Sequence, residues 1–245
     1  MLIYYGIGRQ PGKWHVRETK APMYARVYYI LGGKTLYRDE RGERALQPGN
    51  LYIFPPHIPY EMTTDPDDPI ECLWLHLDLR SDNLTRLISI SLDHEKEIAH
   101  LIQAIRDAAE NRYPADYLEK LSDALEQLFV LRDYIRMPDE STGQYIEALR
   151  AAYRTNARLD EIAAQFGYST EHFIRLFKRC VGVSPHQYII SLRMSDAVRM
   201  LAGDASLDEI GEAIGYEDGH SFSNAFRRYY GISPGSYRTL YAGYV

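Results

Sequence analysis

The stretch GYSTEHFIRLFKRCVGVSPHQY (residues 167–188) recurs near the C-terminus as GYEDGHSFSNAFRRYYGISPGSY (residues 215–237). The two copies share their glycine, phenylalanine and Ser-Pro positions, whereas most of the polar residues between them differ. The agreement extends upstream, where Glu161-Ile162-Ala163 matches Glu209-Ile210-Gly211 at an offset of 48 residues. Beyond the turn the offset is 49, so the second copy has one extra residue there. Matches this dense and in register indicate a duplicated unit.

Each copy predicts a helix, a tight turn and a second helix. The short helix is followed by Gly167 or Gly215, where glycine allows the positive φ of a sharp turn. Ser169 is placed to cap the next helix in the first copy. An apolar stripe predicts the buried face of that helix: Phe173, Leu176 and Phe177 in the first copy, Phe222 and Phe226 in the second. Helix–turn–helix is an arrangement that sets its second helix into the major groove of DNA.

The region from residue 144 onward resembles the DNA-binding domain of the AraC family of bacterial transcription regulators. The resemblance is carried by LDEIAAQFGYS, FKRCVGVSPHQYI, SLRMSDAVRML, ASLDEIGEAIGY and FSNAFRRYYGISPGSYR. It implies an all-α domain at 144–245 with helix-turn-helix units at about 158–180 and 206–230, joined by a long helix. The second unit departs from the family pattern at Gly211, where Ala is usual, and at Asp218-Gly219, which we expect to loosen the start of its second helix.

Side chains that point away from the buried stripe are predicted to face double-stranded DNA. Arg175 suits guanine O6 and N7, and Asn224 at the equivalent position suits adenine N6 and N7. Residues expected at phosphates are Ser169, Lys178, Arg179, Arg193, Arg227 and Arg228. The remaining predicted DNA-facing residues are Thr170, Glu171, Ile174, Gly219, His220 and Ser223. For each of these residues the alternative is a solvated helix face; Glu171 either accepts from cytosine N4 or only caps its helix.

The first 80 residues predict a strand-rich domain. ARVYYIL (25–31) and KTLYR (34–38) flank Gly32-Gly33, which is a hairpin signal. ECLWLHLDL (71–79) alternates between four leucines on one face and Cys72, Trp74, His76 and Asp78 on the other. Such a strand would separate an aliphatic core from a polar pocket.

Residues 1–80 resemble the cupin-like sensory domain of AraC-type sugar regulators, through LQPGNLYIFPPHIPYEM and the WLH of 71–79. The resemblance implies an α+β multidomain protein whose N-terminal cupin-like β-barrel binds a small polar effector such as a sugar. The residues before Lys20, with Trp14 and His15, would form an arm over that ligand. Candidate wall residues are Arg26, Tyr28, Tyr29, Tyr37, Arg44, Tyr60, Trp74 and His76. The alternative is that these aromatic residues only pack the core of the barrel.

A metal centre is not expected, because the histidines do not form a dense set at ligand spacing. Tyr60 stands where metal-binding cupins commonly have His, His57 lies on the turn, and His15 and His76 are isolated. We therefore expect no cofactor, no catalytic residues and no enzyme activity. Two alternatives stay open: a cupin enzyme with a DNA-binding tail, and a ligand-independent regulator whose barrel is purely structural.

Residues 81–136 switch to helical periodicity. The second predicted helix carries Leu118, Leu121, Leu125, Leu128 and Ile135 at a spacing that resembles a coiled-coil seam. Either this seam makes a homodimer through 95–136, or it packs onto the β domain. The polar, Pro- and Gly-containing RMPDESTGQ predicts a linker at 137–143.

Composition bounds the location and partners of the protein. The 245 residues include only Cys72 and Cys180, which favours a reducing cytoplasm. The start, MLIYYGIGRQ, does not look like a leader, and no apolar run approaches the roughly 20 residues that span a membrane. The net charge of −6 lies entirely within residues 1–140, with 17 basic and 23 acidic side chains. Residues 141–245 are balanced, so local basic patches can meet DNA. The resemblance further implies activation through contact with RNA polymerase.

Overall fold

The computed structural model describes residues 2–18, 24–56, 58–79, 81, 84–155, 157–201, 203–230 and 232–241. The chain divides into two compact units, Met1–Arg136 and Met137–Val245. The first unit is rich in β-strands and the second is helical, which confirms the predicted α+β class.

Over its described residues, the N-terminal unit is a two-sheet structure with two helices. Its described strands are β1 (Leu2–Arg9), β2 (His15–Glu18), β3 (Ala25–Gly32), β4 (Thr35–Asp39), β5 (Gly42–Leu46), β6 (Asn50–Phe54), β7 (Tyr60–Thr64), β8 (Glu71–Leu77) and β9 (Ile88–Ser91). The helices are α1 (Lys96–Glu110) and α2 (Ala115–Leu131). One sheet has the order β1-β8-β3-β6-β9 and the other β2-β7-β4-β5, and the pairs described are antiparallel.

Strand β8 divides the unit into two layers, as its alternation predicts. Leu73, Leu75 and Leu77 belong to the hydrophobic cluster that includes Ile102 of α1 and Phe129 of α2. The side chains of even number point the opposite way, toward the second sheet. The two helices therefore cover the outer face of the five-stranded sheet, and the inner face is left to aromatic and polar side chains.

The predicted coiled-coil seam packs within the chain. Leu118, Leu125 and Ile135 are buried in the same cluster, and Leu121 and Leu128 pack against it while partly buried. Burial against the sheet accounts for the spacing of these residues without a second chain. The interpretation of 81–136 as wholly helical was wrong, since β9 pairs with β6 and buries Ile90.

The hairpin predicted at Gly32-Gly33 was also wrong, because β3 and β4 belong to different sheets. Gly33 has φ +84°, and a Cβ there would lie 2.3 Å from the carbonyl oxygen of Pro69. The next residue, Lys34, donates its backbone N–H to the carbonyl of Asp68 at 2.8 Å. The two glycines therefore let the chain cross from one sheet to the other, close against the segment before β8.

The C-terminal unit is helical throughout its described elements. These are α3 (Glu140–Thr155), α4 (Leu159–Gln165), α5 (Thr170–Val181), α6 (Pro185–Leu201), α7 (Leu207–Ala213), α8 (Gly219–Tyr230) and α9 (Pro234–Tyr241). Helix α6 packs against α3, α5, α7 and α9. It is buried on several faces, since Tyr188 and Ala197 are both buried on opposite sides of the helix.

The stretch 137–143, interpreted as a linker, is partly helical because α3 begins at Glu140. Asp139 supplies the reason: its Oδ1 accepts a hydrogen bond from the backbone N–H of Thr142 at 2.9 Å. A carboxylate in this position caps a helix, so a polar sequence containing Pro and Gly starts a helix here instead of continuing a loop.

Candidate DNA-binding surface and ligand-binding interior

The first helix-turn-helix unit consists of α4 and α5 around a left-handed glycine. Gly167 has φ +73°, as the sharp turn predicts. The predicted cap is confirmed, since the side chain of Ser169 accepts from the backbone N–H of His172 at 3.3 Å. Phe173 and Phe177 are fully buried, and Phe173 stacks on Phe166 and meets the edge of Tyr145 from α3. Aromatic packing thus fixes which side of α5 is left exposed.

The second unit, formed by α7 and α8, accommodates its extra residue in the turn. The turn spans 214–218, against 166–169 in the first unit. The longer turn brings the backbone of Asp218 close to α7, so a Cβ on Gly211 would lie 2.9 Å from the Asp218 carbonyl oxygen. Steric exclusion therefore explains the departure from Ala at this position.

Gly219 was wrongly predicted to face DNA and to loosen the start of α8. It is buried, and its backbone N–H donates to Oδ1 of Asp208 at 2.8 Å. Asp218 meanwhile caps the helix by accepting from the N–H of Ser221 at 2.6 Å. These hydrogen bonds anchor the first turn of α8, and the one to Ser221 lowers the pKa of Asp218.

The other predicted DNA-facing residues of α5 and α8 lie outside the buried aromatic stripe. Glu171, Arg175, Lys178 and Arg179 are exposed on α5, while Thr170 and Ile174 are half-buried. On α8 the exposed residues are His220, Asn224, Arg227 and Arg228, and Ser223 is half-buried. Both exposed faces carry cations and hydrogen-bonding groups, which is the chemistry that phosphates and base edges require.

Two arginines have structural contacts instead of open exposure. Arg193, predicted at a phosphate, lies half-buried on α6 with its guanidinium 5.6 Å from the centre of the Tyr216 ring. Arg238 donates to the carbonyls of Leu201 and Ala205 at 3.2 and 2.5 Å, closing the end of α6. Arg193 therefore connects α6 to the turn of the second helix-turn-helix unit, and Arg238 connects α9 to the end of α6.

In the N-terminal unit, the interior between the sheets contains a buried cation among aromatic rings. Arg26 donates to the hydroxyl of Tyr60, and its guanidinium lies 5.6 Å from the ring centres of Tyr24 and Tyr60. The ring of His76 stacks on Tyr24 at 4.9 Å and lies 5.6 Å from that of Tyr4. Sequence reasoning missed Tyr4 and Tyr24, although strand alternation places Tyr4 and Arg26 on one face.

His76 is held neutral in this interior. Burial lowers the pKa of its imidazole well below the usual value, and the positive charge of Arg26 lowers it further. Within the described residues its Nε2 makes no hydrogen bond. A buried neutral imidazole nitrogen beside an arginine can donate to, or accept from, a polar ligand.

The other predicted wall residues separate into interior and exterior positions. Tyr28, Tyr37 and Trp74 are buried, and the rings of Tyr37, Phe54 and Tyr60 meet at 5.4 to 5.6 Å. The Tyr37 hydroxyl donates to Asp39 at 2.9 Å. Burial is the main cause that raises the pKa of Tyr37, and this hydrogen bond raises it further. Two predictions were wrong: Tyr29 packs on the helix-covered face, and Arg44 is exposed on β5.

The predicted N-terminal arm is part of the sheets over the residues described. β1 pairs with β8, and β2 pairs with β7. His15 lies on β2 and its Nε2 is 2.7 Å from the carboxylate of Glu61. Among the described residues there is no group of three His, Cys, Asp or Glu able to hold a metal ion; His57 lies outside them. None of the helices described is both long and apolar enough to cross a membrane.

Comparison with known proteins accounts for both units. A model of the AraC-like ligand binding domain matches residues 4–129, and a helix-turn-helix domain model matches 162–239. The MmsAB operon regulatory protein of Pseudomonas aeruginosa is 26% identical over 230 residues, covering 86% of this chain and 74% of the relative. The raffinose operon regulatory protein RafR of Pediococcus pentosaceus is 27% identical over 234 residues, covering 86% and 83%.

A solved structure shares the fold along nearly the whole chain. ToxT from Vibrio cholerae superposes with a TM-score of 0.67 at 13% identity, covering 97% of this chain and 98% of that one. The family model for the ligand-binding domain alone spans half of the chain. Members of the family and the relatives named here are regulators of transcription and not enzymes. The chain belongs to the AraC family of DNA-binding transcription regulators with a ligand-binding domain.

Proposed function

We propose that this protein is a cytoplasmic transcription activator that reads a two-part DNA site and responds to a small polar ligand, such as a sugar, held inside its N-terminal unit. The observation that carries the DNA-reading part is the pair of exposed faces on α5 and α8, each set by a buried phenylalanine pair. The duplicated scaffold is the same in both, whereas Arg175 and Asn224 differ at equivalent positions. The two units therefore select different base sequences.

Within that division of roles, Arg175 and Asn224 read bases and the cations near the helix ends bind phosphates. Arg forms two hydrogen bonds with guanine, and Asn forms two with adenine. Lys178, Arg179, Arg227 and Arg228 are exposed in or near the last turns of α5 and α8, where they set the register of the helix on the duplex. Two such helices on one face of DNA would contact sites about one helical turn, ~34 Å, apart.

The interior chemistry supports a polar ligand in the N-terminal unit. Arg26 and the neutral His76 present directed hydrogen-bonding groups, and Tyr24, Tyr60 and Trp74 offer aromatic faces. Sugar rings combine hydroxyls with a flat apolar face, so this pairing of groups suits them. The relative RafR is named for a raffinose operon, which agrees with this choice of ligand class.

The ligand proposal is tested by thermal unfolding of the purified protein with a panel of mono- and oligosaccharides. A ligand that binds the folded state raises the midpoint in proportion to RT ln(1 + [L]/Kd). We expect one sugar class to shift the midpoint in a saturable way, with His76→Gln reducing the shift. If no sugar shifts the midpoint at millimolar concentration, the ligand class proposed here is wrong.

We further propose that the protein is a homodimer and that it activates by contacting RNA polymerase. One face of α2 leaves Tyr117 and Leu131 exposed, by 44% and 76%, beside the partly buried Leu121 and Leu128. A second copy of the same face would cover these residues in a symmetric contact. A dimer would carry two ligand-binding units and two DNA-binding units, so a ligand that binds one arrangement of the dimer more tightly would shift its occupancy of the promoter.

A further inference from the structure

A cavity of about 590 Å³ lies at the open edge of the N-terminal unit. It is bounded by β5 and β9, which end the strand orders of their two sheets over the described residues. Its polar lining consists mainly of Arg41, Arg44, Arg86, Asp39, Asp133 and Tyr134. Apart from Arg44, none of the predicted ligand-wall residues lines it, so it differs from the interior around His76.

The charges at this cavity favour an anion. Three guanidinium groups face two carboxylates, although residues 1–140 as a whole carry an excess of acidic side chains. One carboxylate is already engaged: Asp39 accepts from the Tyr37 hydroxyl and from the backbone N–H of Arg41, each at 2.9 Å. The local positive charge is therefore a property of this edge and not of the unit.

Two of the arginines are available to a ligand. In the part of the chain that the structure describes, the side chains of Arg44 and Arg86 make neither a hydrogen bond nor an ion pair. Other arginines of the unit do: Arg38 pairs with Glu43, and Arg132 contacts Glu97 at 2.7 Å. The guanidinium of Arg41 donates to the Thr85 carbonyl at 3.4 Å, and this hydrogen bond connects the β4–β5 turn to the segment before β9.

We propose that this cavity binds a small polar molecule through its phosphate or carboxylate group, at a site separate from the interior. Guanidinium groups pair with either oxyanion through two parallel hydrogen bonds. The volume lies within the range of small-molecule sites, and Leu87 and Tyr134 provide less polar walls. Asp133 and Tyr134 come just before Arg136, where the unit ends, so a bound anion contacts the segment that leads in sequence to the DNA-binding unit.

The test is calorimetric titration of the full-length protein with inorganic phosphate and, separately, with citrate, both at constant ionic strength. We expect saturable binding of at least one probe, and the stronger binder identifies the oxyanion class. Arg44→Gln and Arg86→Gln should each weaken it about tenfold, since each removes a charge-assisted hydrogen bond. Arg38→Gln on the same hairpin is the matched control, because its partner is Glu43 and it does not line the cavity.

Two results would overturn the site. The first is heat that grows linearly with the concentration of both probes, which reports dilution and not saturable binding. The second is saturable binding that Arg44→Gln and Arg86→Gln leave unchanged, because the anion would then bind elsewhere. Circular dichroism of each variant establishes that it is folded before titration. Sugar binding in the interior is independent of these outcomes, so this site and the proposed effector site can fail separately.

Discussion

At the scale of single residues, Gly211 and Ala163 hold equivalent positions in the two helix-turn-helix units but are not interchangeable. Ala163 is fully buried with its methyl group accommodated. At Gly211 the same methyl would meet the carbonyl oxygen of Asp218 at 2.9 Å and its carbon at 3.1 Å. Those are backbone atoms, which cannot rotate out of the way as a flexible side chain can.

Replacement of Gly211 by Ala should therefore lower the free energy of unfolding by about 1–3 kcal/mol, the usual cost of overpacking. Helix propensity alone would raise it by about 1 kcal/mol. Gly143→Ala in α3 is the matched control, because a Cβ there meets nothing within 4 Å, and it should stabilise by about 0.5–1 kcal/mol. Urea unfolding followed by far-UV circular dichroism distinguishes them. Equal stabilisation by both alanines would contradict the steric account.

His76 makes the stability of the N-terminal unit sensitive to acid. Its pKa lies well below 6.5 in the folded protein because of burial and Arg26, whereas the unfolded chain takes up a proton near 6.5. The contribution of neutral His76 to the free energy of unfolding is therefore complete above pH 6.5. As the pH falls below that value, the free energy of unfolding decreases by up to about 1.4 kcal/mol per pH unit. His76→Gln should flatten this slope between pH 6.5 and 5 in urea unfolding followed by tryptophan fluorescence. An unchanged slope would show that His76 is not the responsible group.

At the scale of helices and strands, a side-chain cap determines where α8 begins. Asp218 accepts from the N–H of Ser221 at 2.6 Å, and Ser169 serves α5 in the same way. Asp218→Ala removes this acceptor and should cost about 1 kcal/mol of unfolding free energy. The fraying of α8 should also weaken binding to the part of the DNA site that we propose α8 contacts. Asp204→Ala, at an exposed position before α7, is the control; equal effects from both variants would exclude a specific role for the cap.

The sequence predicted elements well where one local pattern determines the structure. The duplicated glycines and phenylalanines indicated both helix-turn-helix units, and period-two alternation sorted the faces of β8. The prediction from sequence was wrong where strand pairing depends on residues far apart in the chain. Gly32-Gly33 resembles a hairpin turn, but β3 pairs with β6 and β8. Residue type alone does not distinguish Tyr29 from Tyr28. Tyr28 is interior, so alternation places Tyr29 on the opposite face.

The candidate sites were predictable where a local sequence pattern determines them and unpredictable where they depend on contacts between distant segments. Exposure on α5 and α8 follows from helical spacing around a buried stripe. Gly219 was misplaced because its neighbours Asp208 and Asp218 act through hydrogen bonds that spacing does not reveal. The cavity near Arg86 combines three segments far apart in sequence, so only the fold brings its arginines together.

At the scale of the whole molecule, the exposed face of α2 predicts self-association. Leu131→Glu would place a charge in the proposed symmetric contact and should convert a dimer into a monomer in sedimentation equilibrium. Leu36→Glu changes another exposed leucine, on β4, and should remain dimeric. A wild-type protein that stays monomeric at tens of micromolar would exclude this interface.

Above all, we propose that α5 and α8, two helices on the same scaffold, select two different DNA sequences. The most direct measurement selects binding sites from a randomised duplex pool at fixed salt, with wild type, Arg175→Ala and Asn224→Ala in parallel. We predict a two-box site in which Arg175→Ala relaxes preference in one box and Asn224→Ala in the other, each by about 1–3 kcal/mol at the affected base. Uniform binding by all three proteins, or relaxation of the same box by both variants, would contradict it.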